Sequence, residues 1–289
     1  MSEKILCFGE IVWDALPGGI FLGGAPLNVA YHLHCLGREA LPVSRIGKDF
    51  LGRETSRRLQ AKGVPVRQLQ ESSEAETGAV VVELNAAGDA RYEILENAAW
   101  DEIEAGRELL EEAESAGALV YGTLSTRSAT NRKTLATLLG KVPIRLCDVN
   151  LRAPYDATDN ALEWASRATV IKLNEEELDK LTRLSPTESL EGKLRDLSDR
   201  TGVATIVVTR GDKGALLLQE EKVYEGLAPH VEVADTVGAG DAFTAAFLDA
   251  YLNNVSPLEG LRRALSIGAH VASRSGAQPD YDPADVVGG

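Results

Sequence analysis

The alternation of short apolar runs with segments of helical spacing constrains the fold of this chain more than any other feature. Between positions 101 and 209, predicted strands occupy residues 118–121, 144–149, 170–173 and 205–209. Predicted helices occupy residues 109–116, 129–139, 161–168, 175–181 and 190–199. Short β-branched runs separated by helices are typical of βαβ units, whose parallel sheet is covered on both faces. We therefore predict an α/β fold with a mostly parallel central sheet.

The N-terminal part of the chain follows the same pattern with one interruption. Predicted strands at 5–8 and 41–46 alternate with predicted helices at 29–36 and 53–62. Residues 78–84 and 91–95 are two β runs around the turn sequence Asn-Ala-Ala-Gly-Asp, which indicates a hairpin. We see no repeat or linker that would divide the 289 residues, so we expect one large domain with a small β excursion.

Composition and charge exclude several classes of protein. A formal net charge of −14 argues against a nucleic-acid partner, which would need a basic surface. The sequence contains no run of about 18 apolar residues, so we expect no membrane span. The N-terminus lacks the pattern of a signal peptide, and Cys7, Cys35 and Cys147 are few and widely separated. Such cysteines suit reduced thiols. We therefore expect a cytoplasmic location.

A glycine-bearing run near the C-terminus carries the strongest functional signal. Residues 234–243 read Ala-Asp-Thr-Val-Gly-Ala-Gly-Asp-Ala-Phe, between a predicted strand end at 231–233 and a predicted helix at 242–252. Gly238 and Gly240 leave backbone amides open to an anion, and the following helix directs its free N–H groups at the turn. Asp241 at the helix start could take a proton from a hydroxyl held beside that anion.

Other interpretations of this run are open or disfavoured. An Asp at a helix start is favourable by itself, and Gly-x-Gly can be ordinary turn chemistry. A dinucleotide fingerprint fits poorly because Phe243 stands where a third small residue belongs. A Walker A loop is excluded because no Gly-Lys-Ser/Thr follows.

Polar residues near the N-terminus form a second candidate site. Asp14 lies close to the end of the first strand, where ligands bind in open α/β sheets. Gly23 and Gly24 permit a close backbone approach, and Asn28 offers both a donor and an acceptor. A loop Asp that caps its own turn, and a glycine turn with Asn28 as the helix N-cap, explain these residues equally well.

Three later strand ends also carry polar clusters. Residues 148–152 are Asp-Val-Asn-Leu-Arg, residues 174–177 are Asn-Glu-Glu-Glu, and residues 209–214 are Thr-Arg-Gly-Asp-Lys-Gly. A helix N-cap with acids in the first turn accounts well for Asn174 to Glu177. A surface ion pair would account for Arg152.

Taken together, these motifs resemble the ribokinase-type (PfkB) sugar kinases, from Gly9 to Ala277. Residues 235–243 resemble the C-terminal signature of that family, and Gly23-Gly24-x-x-x-Asn28 resembles its N-terminal sugar-binding signature. The resemblance implies a ribokinase-like three-layer sandwich over residues 1–289, with lid excursions at about 10–22 and 76–98. It also implies transfer of the γ-phosphoryl group of ATP to a sugar hydroxyl.

The resemblance assigns roles to the matching residues. Asp241 would be the general base, and the amides of Ala239, Gly240 and Asp241, after Gly238, would stabilise the transferred group. The sugar-binding residues would be Asp14, Gly23, Gly24, Asn28 and Arg152. The nucleotide-binding residues would be Asn174, Thr209, Gly211, Gly238 and Gly240. Glu177 would help to organise Mg²⁺, directly or through water, and Asp235 and Val237 would supply oxygens to a monovalent cation such as K⁺.

The sugar and the oligomeric state stay open at this stage. Gly-Gly-Ala-Pro-Leu-Asn and Asp-x-Asn-Leu-Arg are most similar to the fructokinase branch, which makes fructose the first choice. Ribose, 2-keto-3-deoxygluconate and nucleosides are alternatives, because one hydroxyl contact can redirect specificity. A catalytically inactive sugar- or nucleotide-binding regulator and a dehydrogenase are further hypotheses, the latter disfavoured by the position of the motif. An exposed lid hairpin could pair with a second subunit and give a homodimer.

Overall fold

Two β-sheets organise the fold. The computed structural model describes residues 4–16, 19–84, 90–183, 185 and 187–287. Within these ranges, the central sheet has nine strands in the order β13 (Lys222–Gly226), β12 (Ala215–Gln219), β11 (Thr205–Thr209), β10 (Val170–Asn174), β9 (Ile144–Asp148), β8 (Ala116–Gly122), β1 (Lys4–Phe8), β4 (Ala40–Gly47) and β5 (Leu69–Ser72). A smaller sheet has the order β3 (Gly19–Gly23), β2 (Val12–Leu16), β6 (Gly78–Leu84) and β7 (Ala90–Ile94).

The central sheet is parallel from β5 to β11, and β12 and β13 extend it antiparallel. Inner strands such as β1 and β11 are mostly apolar because both of their faces are buried. Leu6 and Phe8 of β1 enter one hydrophobic cluster, whereas Ile5 and Cys7 of the same strand enter another. Successive side chains of a strand point to opposite faces, so the two clusters lie on the two sides of the sheet.

Helices cover both faces and complete three layers. The helices are α1 (Ala25–Cys35), α2 (Phe50–Ala61), α3 (Arg107–Ser115), α4 (Ala129–Leu139), α5 (Thr158–Ala165), α6 (Glu175–Leu181), α7 (Leu190–Thr201), α8 (Ala239–Leu252), α9 (Pro257–Ala272) and α10 (Pro283–Val287). Helices α3 to α7 pack on one face of the sheet, and α1, α8 and α9 pack on the other. The predicted α/β class, with its mostly parallel central sheet, is confirmed. Among the helices of the described ranges, none combines the length and apolarity that crossing a bilayer requires.

The small β sheet is also present and is joined to the body through Trp100. Val12 of β2 and Val80 of β6 pack with Trp100 and Leu124 in one cluster. A Cβ on Gly78 would come within 2.5 Å of the Trp100 ring. The strand can therefore lie this close to the ring only because residue 78 has no side chain. Within the predicted excursions at 10–22 and 76–98, residues 17–18 and the turn at 85–89 lie outside the described residues.

One prediction of local structure was wrong, and one element was not predicted. Residues 231–233 form no strand but belong to an irregular segment between β13 and α8, where Val233 is 60% exposed. The β12–β13 hairpin was not predicted from the sequence. Its turn residues Glu220 and Glu221 have φ values of 50° and 64°. Such a turn normally requires Asn or Gly, so the usual sequence signal is absent.

Candidate active site

The first turn of α8 begins at a glycine that no other residue could replace without strain. Gly238 is the N-cap of α8 in the left-handed conformation, with φ 79°. A Cβ at this position would stand 2.6 Å from the Ala277 Cα. The C-terminal segment therefore closes against the turn, and the backbone of the turn stays exposed on its other side.

Two amides of this turn are available to an anion. The first N–H groups of an α-helix have no partner within the helix. The Ala239 N–H donates to the Thr236 carbonyl at 3.3 Å, a long bond. Gly240 and Asp241 follow in the same turn, so their N–H groups are the principal donors. The Ala239 N–H was also predicted to stabilise the transferred group. It can do so only if its long hydrogen bond to the Thr236 carbonyl opens.

The Asp241 carboxylate is held beside these amides by Asn28. Asn28 Nδ2 donates to Asp241 Oδ2 at 2.8 Å. Burial and the nearby Asp148 carboxylate raise the pKa of Asp241 to about 6, although Asn28, Lys172 and Arg152 act in the opposite direction. A carboxylate with such a pKa is ionised at neutral pH and is still basic enough to accept a proton during the reaction.

A buried ion pair lies beneath the same turn. Lys172 Nζ contacts Asp148 Oδ1 at 3.1 Å and Oδ2 at 3.0 Å, and Thr244 Oγ1 of α8 donates to Asp148 Oδ2 at 3.0 Å. A Cβ on Gly240 would come within 3.4 Å of the Lys172 ammonium. Sequence analysis did not identify Lys172. A lysine within the apolar strand Val-Ile-Lys-Leu was the available signal, because lysine is almost never fully buried unless it is paired.

Asn174 and Glu177 form a reciprocal cap at the start of α6. Asn174 Oδ1 accepts the Glu177 N–H at 2.8 Å, and Glu177 Oε2 accepts the Asn174 N–H at 2.9 Å. Glu177 Oε1 accepts the Leu151 N–H at 2.8 Å. The capping interpretation of this run therefore describes its geometry. Burial and Asp148 raise the pKa of Glu177, and each of its oxygens retains a lone pair for a further ligand.

The predicted sugar-binding residues converge on one side of Asp241. A Cβ on Gly23 would meet Asp14 Oδ2 at 3.0 Å, and a Cβ on Gly24 would meet the Glu10 carbonyl at 2.3 Å. Gly24, with φ 112°, is the N-cap of α1, whereas Asn28 lies inside that helix. The alternative in which Asn28 caps α1 is therefore wrong, and its amide is free to act in the site.

Arg152 links the acidic groups of this region. Its guanidinium is exposed. Burial raises the pKa values of Glu10, Asp14 and Asp241, and the positive charge of Arg152 opposes part of this rise. Sequence analysis did not assign a role to Glu10, a carboxyl that is only 4% exposed. Its Oε2 has no hydrogen-bond partner among the described residues, and burial raises its pKa to about 7.

A cavity of about 470 Å³ adjoins the turn. Thr209, Gly211 and Gly240, three of the residues predicted to bind the nucleotide, line it, and nucleotide binding there stays a prediction. The irregular segment 228–233 and α9 supply the remaining walls, including Leu265, Gly268, Ala269 and Ala272. Sequence analysis missed this segment because it was predicted to be a strand. Asn174 is paired in register with Thr209, so these two strand ends lie side by side.

Asp235 ties the glycine turn to the C-terminal segment. Its Oδ1 accepts the Val237 N–H at 3.0 Å, and its Oδ2 accepts the Gly276 N–H at 3.1 Å. Carboxylate and carbonyl oxygens are the ligands that hard cations prefer. The geometry is compatible with the predicted monovalent cation, whose binding stays a prediction.

Open α/β sheets bind ligands beyond the carboxyl ends of their strands, and the groups described above define such a site. An acid, two helix N-terminal amides and a cavity next to them are the parts of a phosphotransferase that acts on a hydroxyl group. Residues 2–284 match the pfkB family carbohydrate kinases, and the chain belongs to this family. The predicted family and class of enzyme are thereby confirmed.

Individual relatives are similar over almost the entire chain. The probable fructokinase-3 of Arabidopsis thaliana is 29% identical and aligns over 98% of this chain and 89% of the relative. A crystal structure of fructokinase with bound ATP from Xylella fastidiosa superposes with a TM-score of 0.83 and 22% identity, covering 96% of this chain and 94% of the other. A putative ribokinase II from E. coli with ATP and Mg²⁺ has a TM-score of 0.81 at 23% identity, covering 96% and 95%. These two structures confirm the ribokinase-like fold.

Proposed function

We propose that this protein is an ATP-dependent fructokinase. In this reaction a fructose hydroxyl oxygen forms a bond to the γ-phosphorus of ATP as the bond to the β–γ bridging oxygen breaks. The hydroxyl proton passes to Asp241, and ADP leaves with the bridging oxygen. One observation carries the proposal: Asn28 holds the Asp241 carboxylate at 2.8 Å in the same helical turn whose residues Ala239 and Gly240 line the adjoining cavity.

The charges around this turn suit phosphoryl transfer. The transferred group spreads negative charge over its oxygens, and preorganised donors stabilise that charge. The amides of Gly240 and Asp241 are such donors, and the dipole of α8 adds to their effect. The Lys172 ammonium also lies below the turn, close to Gly240, where it is paired with Asp148. A protein with net charge −14 needs this local positive potential to bind ATP.

The Mg²⁺ and K⁺ sites are proposed from the oxygen donors at two places in the structure. When bound, Mg²⁺ would neutralise charge on the phosphate oxygens. It usually keeps several waters and takes one or two carboxylates together with phosphates. Glu177, whose oxygens already accept backbone N–H groups, suits such a water-mediated contact. Asp235 and Val237 would hold K⁺ in the adjacent loop.

Fructose is proposed before other sugars because the Arabidopsis and Xylella relatives are named fructokinases. Asp14, Gly23, Gly24, Asn28 and Arg152 would surround it, with carboxylate, amide and guanidinium groups that bind hydroxyls. Ribose is the second candidate because the E. coli neighbour is named a putative ribokinase. The proposal also includes a cytoplasmic location, a single domain that closes its lid over the sugar, and a homodimer.

The test is ADP release with ATP and Mg²⁺ on fructose, ribose, glucose, 2-keto-3-deoxygluconate and adenosine. We expect turnover to be fastest on fructose. Asp241→Asn should lower kcat by a factor on the order of 10²–10⁴ while ATP binding persists. Asp249→Asn is the matched control. Asp249 lies on the same helix, but Arg38 holds it there at 2.6 Å, and turnover should be unchanged.

Two outcomes would contradict the proposal. Faster turnover on another compound would transfer the assignment to that substrate. Binding of ATP and sugar without ADP release would favour the inactive regulator. The intact Gly238 to Asp241 turn disfavours that alternative, because a binding protein has no need of a base at this position.

A further inference from the structure

The C-terminal segment after α9, residues 276–282, packs back against α1. Tyr31 donates from its hydroxyl to the Pro279 carbonyl at 2.9 Å. The buried His32 ring contacts the Ala277 carbonyl at 2.9 Å and the Tyr281 hydroxyl at 3.0 Å. These contacts fix the backbone on either side of Gln278, so the direction of its side chain is set by the fold.

Gln278 reaches from this segment to the amide that holds the proposed base. Its Nε2 donates to Asn28 Oδ1 at 2.9 Å, and Asn28 Nδ2 donates to Asp241 Oδ2 at 2.8 Å. We propose that Gln278 is a positioning residue that stabilises the orientation in which the NH₂ group of Asn28 faces Asp241. The proposal deepens the proposed function, on which it rests.

An asparagine amide has two unlike edges, an NH₂ group that donates hydrogen bonds and a carbonyl that accepts them. An ionised carboxylate only accepts hydrogen bonds, so Asn28 supports it with its NH₂ and opposes it with its carbonyl. The two orientations occupy nearly the same space, and packing does not distinguish them. With its NH₂ on the far side of Asn28, Gln278 adds a hydrogen bond to the orientation in which the Asn28 carbonyl faces Gln278 and the Asn28 NH₂ faces Asp241.

A further hydrogen bond holds the main chain at Gln278. Lys62 Nζ donates to the Gln278 carbonyl at 3.2 Å and holds the main chain from outside. The Gln278 side chain is half-buried, and its Nε2 lies against Asn28. A glutamate at this position would accept a hydrogen bond and could not donate one. It would therefore favour the orientation in which the Asn28 NH₂ faces residue 278 and not Asp241.

Other charges act on Asp241 but are independent of Gln278. Asp148 from β9 opposes ionisation, and Lys172 from β10 and Arg152 favour it. Glu10, beyond the end of β1, also lies within electrostatic reach of Asp241. A neutral substitution at Gln278 leaves these four groups in place. A change in the titration of Asp241 in such a variant therefore reports on the Asn28 amide.

The experiment compares pH profiles of kcat/KM for the sugar in Gln278→Met and Gln278→Glu. Methionine has a similar length, is neutral and cannot donate a hydrogen bond, so the acid limb should move upward by about one pH unit. Glutamate should move it further, because it turns the Asn28 amide and adds a negative charge. Tyr31→Phe is the matched control. It removes the hydroxyl that contacts the Pro279 carbonyl and Asp280 Oδ1 of the same segment and leaves Gln278 on Asn28, so its acid limb should stay at the wild-type position.

A second readout is independent of turnover. The side-chain ¹⁵NH₂ signal of Asn28, assigned by its loss in Asn28→Leu, should titrate with Asp241 in the wild type. In Gln278→Met its midpoint should rise by the same amount as the acid limb.

Unshifted midpoints in both Gln278 variants would overturn the inference, as would an equal shift in Tyr31→Phe, which would indicate general loosening of the segment. A wild-type protein without turnover on any sugar would overturn the proposed function instead. The Asn28 signal would then still decide for or against Gln278.

Discussion

Lys172 and Asp148 form a buried ion pair directly beneath the first turn of α8, with Nζ 3.1 Å and 3.0 Å from the two carboxylate oxygens. Both residues come from neighbouring parallel strands and are less than 10% exposed. Thr244 adds a third hydrogen bond from the helix. The pair thus joins the sheet to the turn that carries Asp241 and brings a positive charge close to the proposed phosphoryl site.

Removal of Lys172 should destabilise the protein strongly. In Lys172→Met, Asp148 is left buried without its cation, a change that typically costs about 3–5 kcal/mol of unfolding free energy. Chemical denaturation monitored by circular dichroism measures the loss. The double variant Lys172→Met/Asp148→Asn removes both charges and should recover much of it. An unfolding free energy of Lys172→Met equal to that of the wild type would show that the pair contributes nothing.

Activity should depend on the ionisation of Asp241. The base must be deprotonated to accept the hydroxyl proton, and the pKa of this carboxyl is raised to about 6. We expect kcat/KM for the sugar to be constant above about pH 7 and to fall tenfold per pH unit well below pH 6. Initial rates of ADP release across pH 4.5–8.5 provide the test, with controls for folding at each pH. A profile that stays flat down to pH 5 would contradict the assignment of the base.

Stability should respond to Asp241 in the opposite sense. Its pKa is above 3.8 in the folded protein, so ionisation destabilises the fold, fully above about pH 6. This destabilisation disappears as the pH falls through 6 towards 3.8. Asp241→Asn should therefore be more stable than the wild type at pH 8, and the difference should vanish near pH 4. Thermal unfolding of both proteins at the two pH values measures it. An Asp241→Asn variant less stable at pH 8 would contradict the prediction.

Gly24 should tolerate no side chain. Gly24 and Gly37 both have positive φ, at 112° and 81°. A Cβ on Gly24 meets the Glu10 carbonyl at 2.3 Å, whereas one on Gly37 meets nothing within 4 Å. Gly37→Ala should therefore cost only the backbone strain, about 1–2 kcal/mol. Gly24→Ala should cost clearly more and should also raise KM for the sugar. Equal unfolding free energies of the two variants would show that the backbone at Glu10 moves away from the new Cβ at little cost.

The cavity beside α9 should bind the nucleotide and not the sugar. Ala269 lines it together with Gly268 and Phe243, and a larger side chain there would occupy its space. In Ala269→Leu we expect KM for ATP to rise at least tenfold, while KM for fructose at saturating ATP stays unchanged. Ala284→Leu, an exposed position on α10, is the control. If only the KM for fructose rises, the cavity is the sugar subsite and not the nucleotide subsite.

Local patterns allowed much of the fold to be predicted. Helices α4 and α6 and strands β6 and β11 begin and end where the sequence predicted them, because apolar spacing and capping residues act within a few positions. The glycine turn before α8 was found for the same reason, since Gly238, Gly240 and Asp241 are adjacent. The strand end predicted at 231–233 was wrong because Val231 and Val233 line a cavity and do not belong to a sheet.

The sequence by itself determined the mostly parallel sheet, the alternation of its strands with helices and the glycine turn with its acid, since all of these follow from short-range patterns. Only the tertiary structure decided what surrounds that acid. Lys172 meets Asp148 from 24 residues away, and Gln278 meets Asn28 from 250 residues away. The physical reason is that hydrogen bonds and ion pairs depend on distance in space. Packing of α1, α8 and the C-terminal segment brings these groups together, and no local pattern encodes which distant side chain will be the partner.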